Sequence, residues 1–341
     1  MARAPTRDAV LKGMRAALRL QRDLGFDQGG ARGHRIDVFG AIYRQNVPLL
    51  FRKLEPLLGA YLREEGNPGI ILTTRRPLGQ QRFTAAHELG HHVLSHDPHA
   101  DDDSILRRSP DLARDYMNLP PAEQEADAFA SYFLLPDWLI TTLMSNQQWT
   151  PQHLENASTV YQMALRAGAS YRATLYALAR NKVIGPGIRQ QLAKAQPANI
   201  KRDLVPDHPL ESTRDIDVWH LTERDEGTVI EAGRDDLFLV KLREDSNAGY
   251  LWNFDELENA GFAILKDGRE QVTDGVVGAP TIRHVLARAG DATAHGTYTI
   301  WERRPFAPLD DPKRWSFDYR PVYTHDAGLF RPSARHAGGA R

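Results

Sequence analysis

The amino-acid sequence predicts a multidomain protein with a mainly α-helical N-terminal part that contains a small β-sheet, a helical middle segment and a β-rich C-terminal part. Two observations support this prediction. Up to about residue 195 the apolar residues follow helical spacing, interrupted by the strand-like GIILTT at 69–74. A proline-rich passage at 201–212 then ends the helical pattern, and short alternating segments such as LFLVKL follow it.

The composition narrows the classes of protein that are compatible with the chain. At 341 residues, 41% of them hydrophobic, it is long enough for two or three domains with apolar cores. The absence of cysteine excludes disulfides, thiolate metal sites and cysteine nucleophiles. With 43 Lys+Arg against 44 Asp+Glu the chain is nearly neutral, which argues against a dominant nucleic-acid footprint. No apolar run approaches the roughly 20 residues of a membrane span, so a soluble, cytoplasmic protein without membrane contact is expected.

The change in pattern along the chain also predicts domain limits. The helical N-terminal part and the basic helices after it should precede an exposed linker, and the β-rich part should end in a frayed, polar tail. The predicted ranges are 1–148 for the helical N-terminal domain, 149–200 for a basic helical segment, 201–215 for the linker, 216–325 for the β domain and 326–341 for a flexible tail.

The segment QRFTAAHELGHHVLSHD, residues 81–97, suggests a metal site. On a helix, His87 and His91 lie four residues apart on one face, so both imidazoles can bind one ion. Glu88 lies about 100° round the helix, within reach of a water on that ion. Thr84 is predicted to cap this helix. The alternative interpretation is an ordinary helix whose histidines are hydrogen-bonded.

A catalytic zinc site needs three protein ligands and an open position. One class of site takes its third histidine ten residues after the first, but this chain has Asp97 there. His96 is predicted to point to nearly the opposite side of the helix and to be structural. A second class takes a glutamate from another helix, so the third ligand is expected further along the chain.

The stretch EQEADAFASYFLLP, residues 123–136, offers that glutamate. Glu123 and Asp127 fall within the stripe formed by the apolar residues, whereas Glu125 is predicted to face solvent. A carboxylate in a buried stripe is costly unless it is paired or metal-bound. Glu123 is therefore the candidate ligand, with Asp127 orienting a ligand histidine. The alternative for Glu123 is an exposed glutamate favoured by the helix dipole.

These two motifs, RFTAAHELGHHVLSH and EQEADAFASYFLLP, together resemble the ImmA/IrrE family of zinc metallopeptidases over roughly residues 30–140. The resemblance implies a zincin-like, gluzincin-type catalytic domain with His87, His91 and Glu123 as Zn²⁺ ligands and Glu88 as general base. Members of known role cleave DNA-binding repressors of the Cro type and so switch on stress or mobile-element genes. The family often has asparagine where this chain has Asp127.

The middle segment is basic. Between residues 161 and 202 the sequence has eight Lys and Arg residues and no acidic residue. The stretch LRAGASYRATLYALARNKVI indicates a helix, a glycine turn, a serine cap and a second helix, as in a helix-turn-helix. Contact with DNA or a repressor is one interpretation, with Arg172, Arg180 and Lys182 as candidate residues. The other is helices packed on the catalytic domain with a solvated basic face.

The β-rich part has three segments, SNAGYLWNF (246–254), VVGAP (276–280) and ERRPF (302–306), that resemble the binding loops of chagasin-like cysteine-peptidase inhibitors. That resemblance implies an immunoglobulin-type β-sandwich. Candidate protein-binding residues are Tyr250, Trp252, Arg304 and Phe306, although the aromatic rings are equally compatible with ordinary sandwich core and rim.

Taken together, the motifs predict a cytoplasmic zinc endopeptidase whose protein substrate is a repressor and whose β domain recruits or regulates. The alternative is a non-catalytic binding or transcription-regulatory protein with a structural or degenerate metal site.

Overall fold

A computed structural model of the chain divides into two compact units that alternate along the sequence. Unit 1 comprises Met1–Thr142, Arg166–Val183 and Thr324–Arg341, and unit 2 comprises Leu143–Leu165 and Ile184–Tyr323. The basic segment predicted as a separate element at 149–200 is thus shared between the two units. The residues that the structure describes are 7–26, 35–55, 57–64, 66–101, 119–271, 281–290, 295–306, 312–321 and 328–330.

Helices dominate the first part of the chain and strands the second. The helices are α1 (Arg7–Asp23), α2 (Val38–Arg44), α3 (Leu78–Val93), α4 (Pro121–Leu134), α5 (Asp137–Asn146), α6 (Ala157–Ala167), α7 (Tyr171–Arg180), α8 (Pro186–Leu192), α9 (Pro197–Leu204) and α10 (Asp255–Asn259). In the described ranges, none of the helices combines the length and apolarity needed to span a membrane.

The strands of unit 1 are β1 (Leu49–Arg52), β2 (Gly59–Glu64), β3 (Asn67–Thr73), β4 (His99–Asp101) and β13 (Gly328–Leu329). Those of unit 2 are β5 (Val218–Leu221), β6 (Val229–Ala232), β7 (Leu237–Glu244), β8 (Leu251–Asn253), β9 (Ala263–Gln271), β10 (Thr281–Arg288), β11 (Gly296–Arg303) and β12 (Lys313–Pro321).

Unit 1 contains a five-stranded mixed sheet in the order β13-β1-β3-β2-β4. The strand predicted at 69–74 lies in the middle of this sheet as β3. It pairs in parallel with β1 and antiparallel with β2. Ile70 and Leu72 are buried on one face of β3, as expected for a strand with one face against helices.

The edge of this sheet is completed by residues that follow the β-rich part in sequence. Strand β13 pairs antiparallel with β1, and the Phe330 amide donates a hydrogen bond of 2.8 Å to the Leu49 carbonyl. The Phe330 ring lies 6.0 Å from that of Phe39 and 6.4 Å from that of Phe51. A flexible tail was predicted from residue 326, whereas Gly328–Leu329 form strand β13. The rest of the predicted tail lies outside the described residues.

In unit 1, helices α1 and α3 both pack against α4. A glycine lies at each of these two contacts. A Cβ added to Gly90 of α3 would lie 3.1 Å from the Phe129 Cβ atom. A Cβ added to Gly13 of α1 would lie only 2.1 Å from the carbonyl oxygen of Glu125. Larger side chains at these positions would push the helices apart. The close contacts therefore fix α1 and α3 against successive turns of α4.

Unit 2 contains a β-sandwich. One sheet has the order β5-β7-β10-β9 and the other β6-β12-β11-β8. Both sheets contribute to one apolar core. Its members include Trp219, Phe238, Val240 and Val285 from the first sheet and Ile230, Trp252, Tyr298, Ile300, Trp315, Phe317 and Tyr319 from the second.

Polar side chains tie the helices of unit 2 to its sandwich. The Tyr161 hydroxyl of α6 donates to Asp217 at 2.8 Å, and Lys201 of α9 forms an ion pair with the same carboxylate at 2.8 Å. The Asp217 amide donates to Asp236 at 2.7 Å. Burial, together with the charge of Asp217, raises the pKa of Asp236 to about 7.

The predicted linker at 201–215 is not an exposed connection. Its first residues belong to α9, and Val205 joins Val218, Leu237 and Leu286 in a second apolar cluster against the sandwich. Leu210 packs against that cluster as well. The prolines interrupt the helical spacing of this passage, but Val205 before them is buried and Leu210 after them is partly buried.

The packing of Phe330 predicts a measurable stabilisation of the sheet in unit 1. Phe330→Ala should lower the free energy of unfolding by about 1–2 kcal/mol, because it removes a half-buried aromatic ring. Leu329→Ala is the matched control, since Leu329 is 55% exposed and its change leaves the backbone pairing in place. Urea denaturation of both variants is the measurement, and equal losses would contradict the described packing.

Candidate metal centre

Helix α3 carries most of the candidate site. It begins at Leu78 after Pro77, not at Thr84 as the sequence predicted. Thr84 is buried inside the helix, and its hydroxyl donates to the Gln80 carbonyl at 3.1 Å. The prediction from the capping preference of threonine was wrong, because the helix extends nearly two turns further toward the N-terminus, through Gln81 and Gln80 to Leu78.

A buried arginine lies on the same helix. Arg82 has its guanidinium next to Gly168, where an added Cβ would lie 2.5 Å from Nη1. Burial lowers the pKa of Arg82 to about 10, and the charge of Asp37 acts in the opposite direction. Asp37 also caps α2 by accepting from the Gly40 amide at 2.9 Å. The charge of Asp37 thus favours the ionised form of Arg82 in the interior of unit 1.

Three candidate ligands converge where α3 faces α4. The Nε2 atoms of His87 and His91 are 2.9 Å apart. The two carboxylate oxygens of Glu123 lie 3.4 Å from His87 Nε2 and 3.5 Å from His91 Nε2. Within the described part of the chain these three residues form the group suited to a metal ion. The close contact of Gly90 with Phe129 brings the two helices near enough for this geometry.

Asp127 lies next to the His87 ring nitrogen that does not face Glu123. Its Oδ1 lies 2.9 Å from His87 Nδ1. The negative charge of a carboxylate next to Nδ1 favours the His87 tautomer with hydrogen on Nδ1, which leaves the lone pair of Nε2 on the side of Glu123. Glu123 and Asp127 are one helical turn apart on α4, so one face of that helix supplies both carboxylates.

The donor set fits a divalent transition metal such as zinc. Two imidazole nitrogens and one carboxylate are a ligand set of catalytic zinc sites, which keep a further position open. His87 and His91 are buried, whereas the Glu123 side chain is 13% exposed and gives the cluster an edge toward solvent. A cation would also offset the cost of holding a carboxylate beside a buried apolar stripe.

Glu88 follows the candidate ligand His87 on α3 and is completely buried. It is oriented toward the backbone of β2, since a Cβ added to Gly59 would lie 2.8 Å from Glu88 Oε1. The same added atom would lie 2.5 Å from the Thr84 methyl group. The absence of a side chain at Gly59 therefore leaves room for the Glu88 carboxylate next to the sheet.

His96 lies close to the metal ligands, contrary to the prediction that it points away. Its Nδ1 is 2.9 Å from His91 Nδ1. Helix α3 ends before it, Ser95 adopts a left-handed conformation with φ 59°, and the His96 amide donates to the His91 carbonyl at 2.9 Å. This Schellman turn folds the chain back over the last helical turn. The prediction assumed that the helix continued, and Ser95 gave no glycine signal for its end.

Glu125 was predicted to face solvent, and this prediction was wrong. Its Oε2 lies 2.9 Å from His96 Nε2 and 2.6 Å from Lys12 Nζ. Only 8% of Glu125 is exposed. The periodicity of α4 identified one buried face, but α1 covers a second face at Gly13. Packing against an element distant in sequence cannot be seen in the pattern of one helix.

The three basic residues predicted to contact DNA or a repressor differ in their exposure to solvent. Arg180 is half-buried, donates to Ser131 Oγ at 2.8 Å and to the Leu135 carbonyl, and lies 4.0 Å from the Tyr132 ring centre. It therefore binds the C-terminal end of α4 inside unit 1. Arg172 and Lys182 are exposed. Residues 157–180 contain two helices joined at Gly168, and the Ser170 side chain accepts from the Ala173 amide at 3.2 Å.

The predicted protein-binding residues of the β domain also differ in exposure. Trp252 is buried in the core, and its Nε1 donates to the Arg243 carbonyl at 2.9 Å. Phe306 is 76% exposed. The Arg304 guanidinium lies 4.4 Å from the Tyr250 ring centre. The predicted middle loop at 276–280 lies outside the described residues.

The geometry predicts that Glu123 holds a metal. Glu123→Ala removes one of three ligands, so bound zinc should fall well below one ion per chain. Glu64→Ala is a suitable control, because Glu64 is exposed at the end of β2. Elemental analysis after dialysis is the measurement, and full zinc occupancy in Glu123→Ala would show that the ligand assignment is wrong.

Comparisons with known proteins give a matching family model and several similar solved structures. The family model Peptidase_M78, described as the IrrE N-terminal-like domain, matches residues 43–179. Among solved structures, the cysteine protease inhibitor EhICP2 from Entamoeba histolytica is 24% identical and covers 31% of this chain and 97% of its own, with a TM-score of 0.25. Amebosin, known from a solution structure, is 21% identical and covers 31% of this chain and 98% of its own, also with a TM-score of 0.25.

No curated protein matches the chain significantly. The family match begins within α2 and extends to α7, so it includes both motif-bearing helices and all three candidate ligands. A family of peptidases fits the grouping of His87, His91 and Glu123. The resemblance expected from the two motifs is thus confirmed, and residues 43–179 are identified as similar to the IrrE N-terminal-like domain of the Peptidase_M78 family.

Proposed function

We propose that the chain is a zinc-dependent endopeptidase. The observation that carries this proposal is the convergence of His87 Nε2, His91 Nε2 and the Glu123 carboxylate in an enclosed site, with Glu88 one residue from the first ligand. These three residues would hold the ion. When bound, zinc would polarise the scissile carbonyl and lower the pKa of a water molecule toward neutrality.

Glu88 would act as the general base. Its carboxylate would take a proton from the attacking water and pass it to the departing amine, so that the peptide bond breaks without a covalent intermediate. Its complete burial supports this role, because charges interact more strongly away from bulk water. Asp127 would hold His87 by accepting from Nδ1 and would not exchange protons with the substrate.

The proposed substrate is a DNA-binding repressor of the Cro type, whose cleavage would switch on stress or mobile-element genes. The family match to an IrrE N-terminal-like domain supports this choice of substrate class. Exposed Arg172 and Lys182 would favour an acidic partner, such as DNA or the repressor bound to it. The sandwich would recruit or regulate, with the exposed ring of Phe306 as a candidate contact.

Glu88→Gln tests the base directly, because it keeps the size of the side chain and removes its proton affinity. Zinc should remain near one ion per chain, while cleavage of a repressor encoded beside this chain should fall by about 10²–10⁴-fold. The control is Glu64→Gln in the same unit. Zinc content and cleavage are measured on the same preparations. Wild-type protein that binds no metal would instead support a non-catalytic regulatory protein.

Gly59→Ala tests the position of Glu88 without changing a ligand or the base. The new methyl group would displace the Glu88 carboxylate, so kcat should fall by about 10²-fold while zinc stays bound. Gly69→Ala on neighbouring β3 is the control, because an added Cβ there meets nothing within 4 Å. Thermal unfolding of both variants separates this effect from general destabilisation. Unchanged kcat in Gly59→Ala would show that the contact does not position Glu88.

A further inference from the structure

A second set of polar side chains reaches His91 from the side opposite the candidate ion. His91 Nδ1 contacts His96 Nδ1 at 2.9 Å, His96 Nε2 contacts Glu125 at 2.9 Å, and Glu125 contacts Lys12 Nζ at 2.6 Å. We name His96, Glu125 and Lys12 the outer chain. It links the turn after α3 to α4 and α1, and the metal ligands His87 and Glu123 are not part of it.

Lys12, at the end of the outer chain, sets the direction of the hydrogen bonds along it, because its ammonium group can only donate. Glu125 Oε2 therefore accepts from Lys12, and the same oxygen accepts from His96 Nε2. A neutral His96 ring that donates from Nε2 has a lone pair on Nδ1. That lone pair accepts from His91, which must carry its hydrogen on Nδ1. The Nε2 lone pair of His91 then faces His87 and Glu123.

Two packing features determine the positions of the outer-chain residues. The Schellman turn at Ser95 returns His96 to the end of α3, where its ring centre lies 4.9 Å from that of His91. The close contact of Gly13 with the Glu125 carbonyl brings α1 against α4. Lys12 precedes Gly13 and therefore reaches the Glu125 side chain. Neither feature depends on contact with the candidate ion.

We propose that His96 and Glu125, secured by Lys12, are positioning residues that hold His91 in the tautomer able to bind the metal. The inference rests on the proposed function in one respect, that the centre binds zinc. His91 would thus receive through His96 the support that His87 receives directly from Asp127. Each ligand histidine would then be oriented by a carboxylate of α4, Asp127 in one case and Glu125 in the other.

The rival explanation is that the outer chain only joins α1 to α4. In that case removing Lys12 or Glu125 would lower the thermal stability and leave the metal affinity unchanged. If the outer chain positions His91, the metal affinity should fall more for changes at His96 than at Lys12. Lys12 acts at the greatest distance from His91, and its side chain is 55% exposed.

The test measures zinc affinity of the full-length chain by competition with a chromogenic chelator, together with thermal unfolding without metal. His96→Ala and Glu125→Gln should bind zinc about 10–100-fold more weakly than wild type. His96→Gln should recover part of the loss, because its carboxamide oxygen can accept from His91. Lys12→Met should have the smallest effect. The controls are Glu64→Gln in unit 1 and the exposed His153→Gln in unit 2.

The nitrogen NMR chemical shifts of the imidazole rings report which ring nitrogen carries hydrogen. These shifts would not change if the outer chain had a purely structural role. In the zinc-loaded protein His91 should carry hydrogen on Nδ1 and His96 on Nε2, and the His91 signal should change in His96→Ala. Equal zinc affinity in all variants, or hydrogen on His96 Nδ1, would overturn this inference while leaving the peptidase proposal intact. Wild-type protein without zinc affinity would overturn both.

Discussion

The close contact of α3 with α4 at Gly90 is the constraint on which the candidate centre depends. Because Gly90 has no side chain, the helices approach until Phe129 touches the α3 backbone. Only at this distance do His87 and His91 reach the carboxylates of the other helix. The same contact removes water from the histidines, so their hydrogen bonds must be made within the protein. Packing and chemistry at this site therefore have a common cause.

Four carboxylates on two helices lie in different surroundings and therefore have different contacts. Glu123 faces the histidine nitrogens at the partly exposed edge, whereas Asp127 lies one turn deeper against His87. Glu125 lies on the face covered by α1 and contacts His96 and Lys12. Glu88 lies on the other helix against the glycine of β2. Each task follows from what the carboxylate contacts, since the four side chains share the same acidic chemistry.

This dependence on neighbours explains which parts of the centre could be predicted from the sequence. The spacing of His87, His91 and Glu88, and of Glu123 and Asp127, is local to one helix each, so periodicity was sufficient. His96 and Glu125 were misjudged because one depends on a left-handed turn at serine and the other on a distant helix. The β-rich texture likewise predicted strands correctly, but it could not indicate that Val205 and Leu210 pack against them.

The interleaving of the two units in sequence has a consequence for how the chain becomes structured. Residues of unit 1 occur before, within and after the residues of unit 2, and the last of them supply β13. Strand β1 can pair with β13 only after the strands of the sandwich have been synthesised, because β13 follows β12 in the chain. Pairing between such distant segments carries a large loop-closure cost unless the intervening residues fold first. We therefore expect the sandwich to form before the sheet of the candidate peptidase unit gains its final strand.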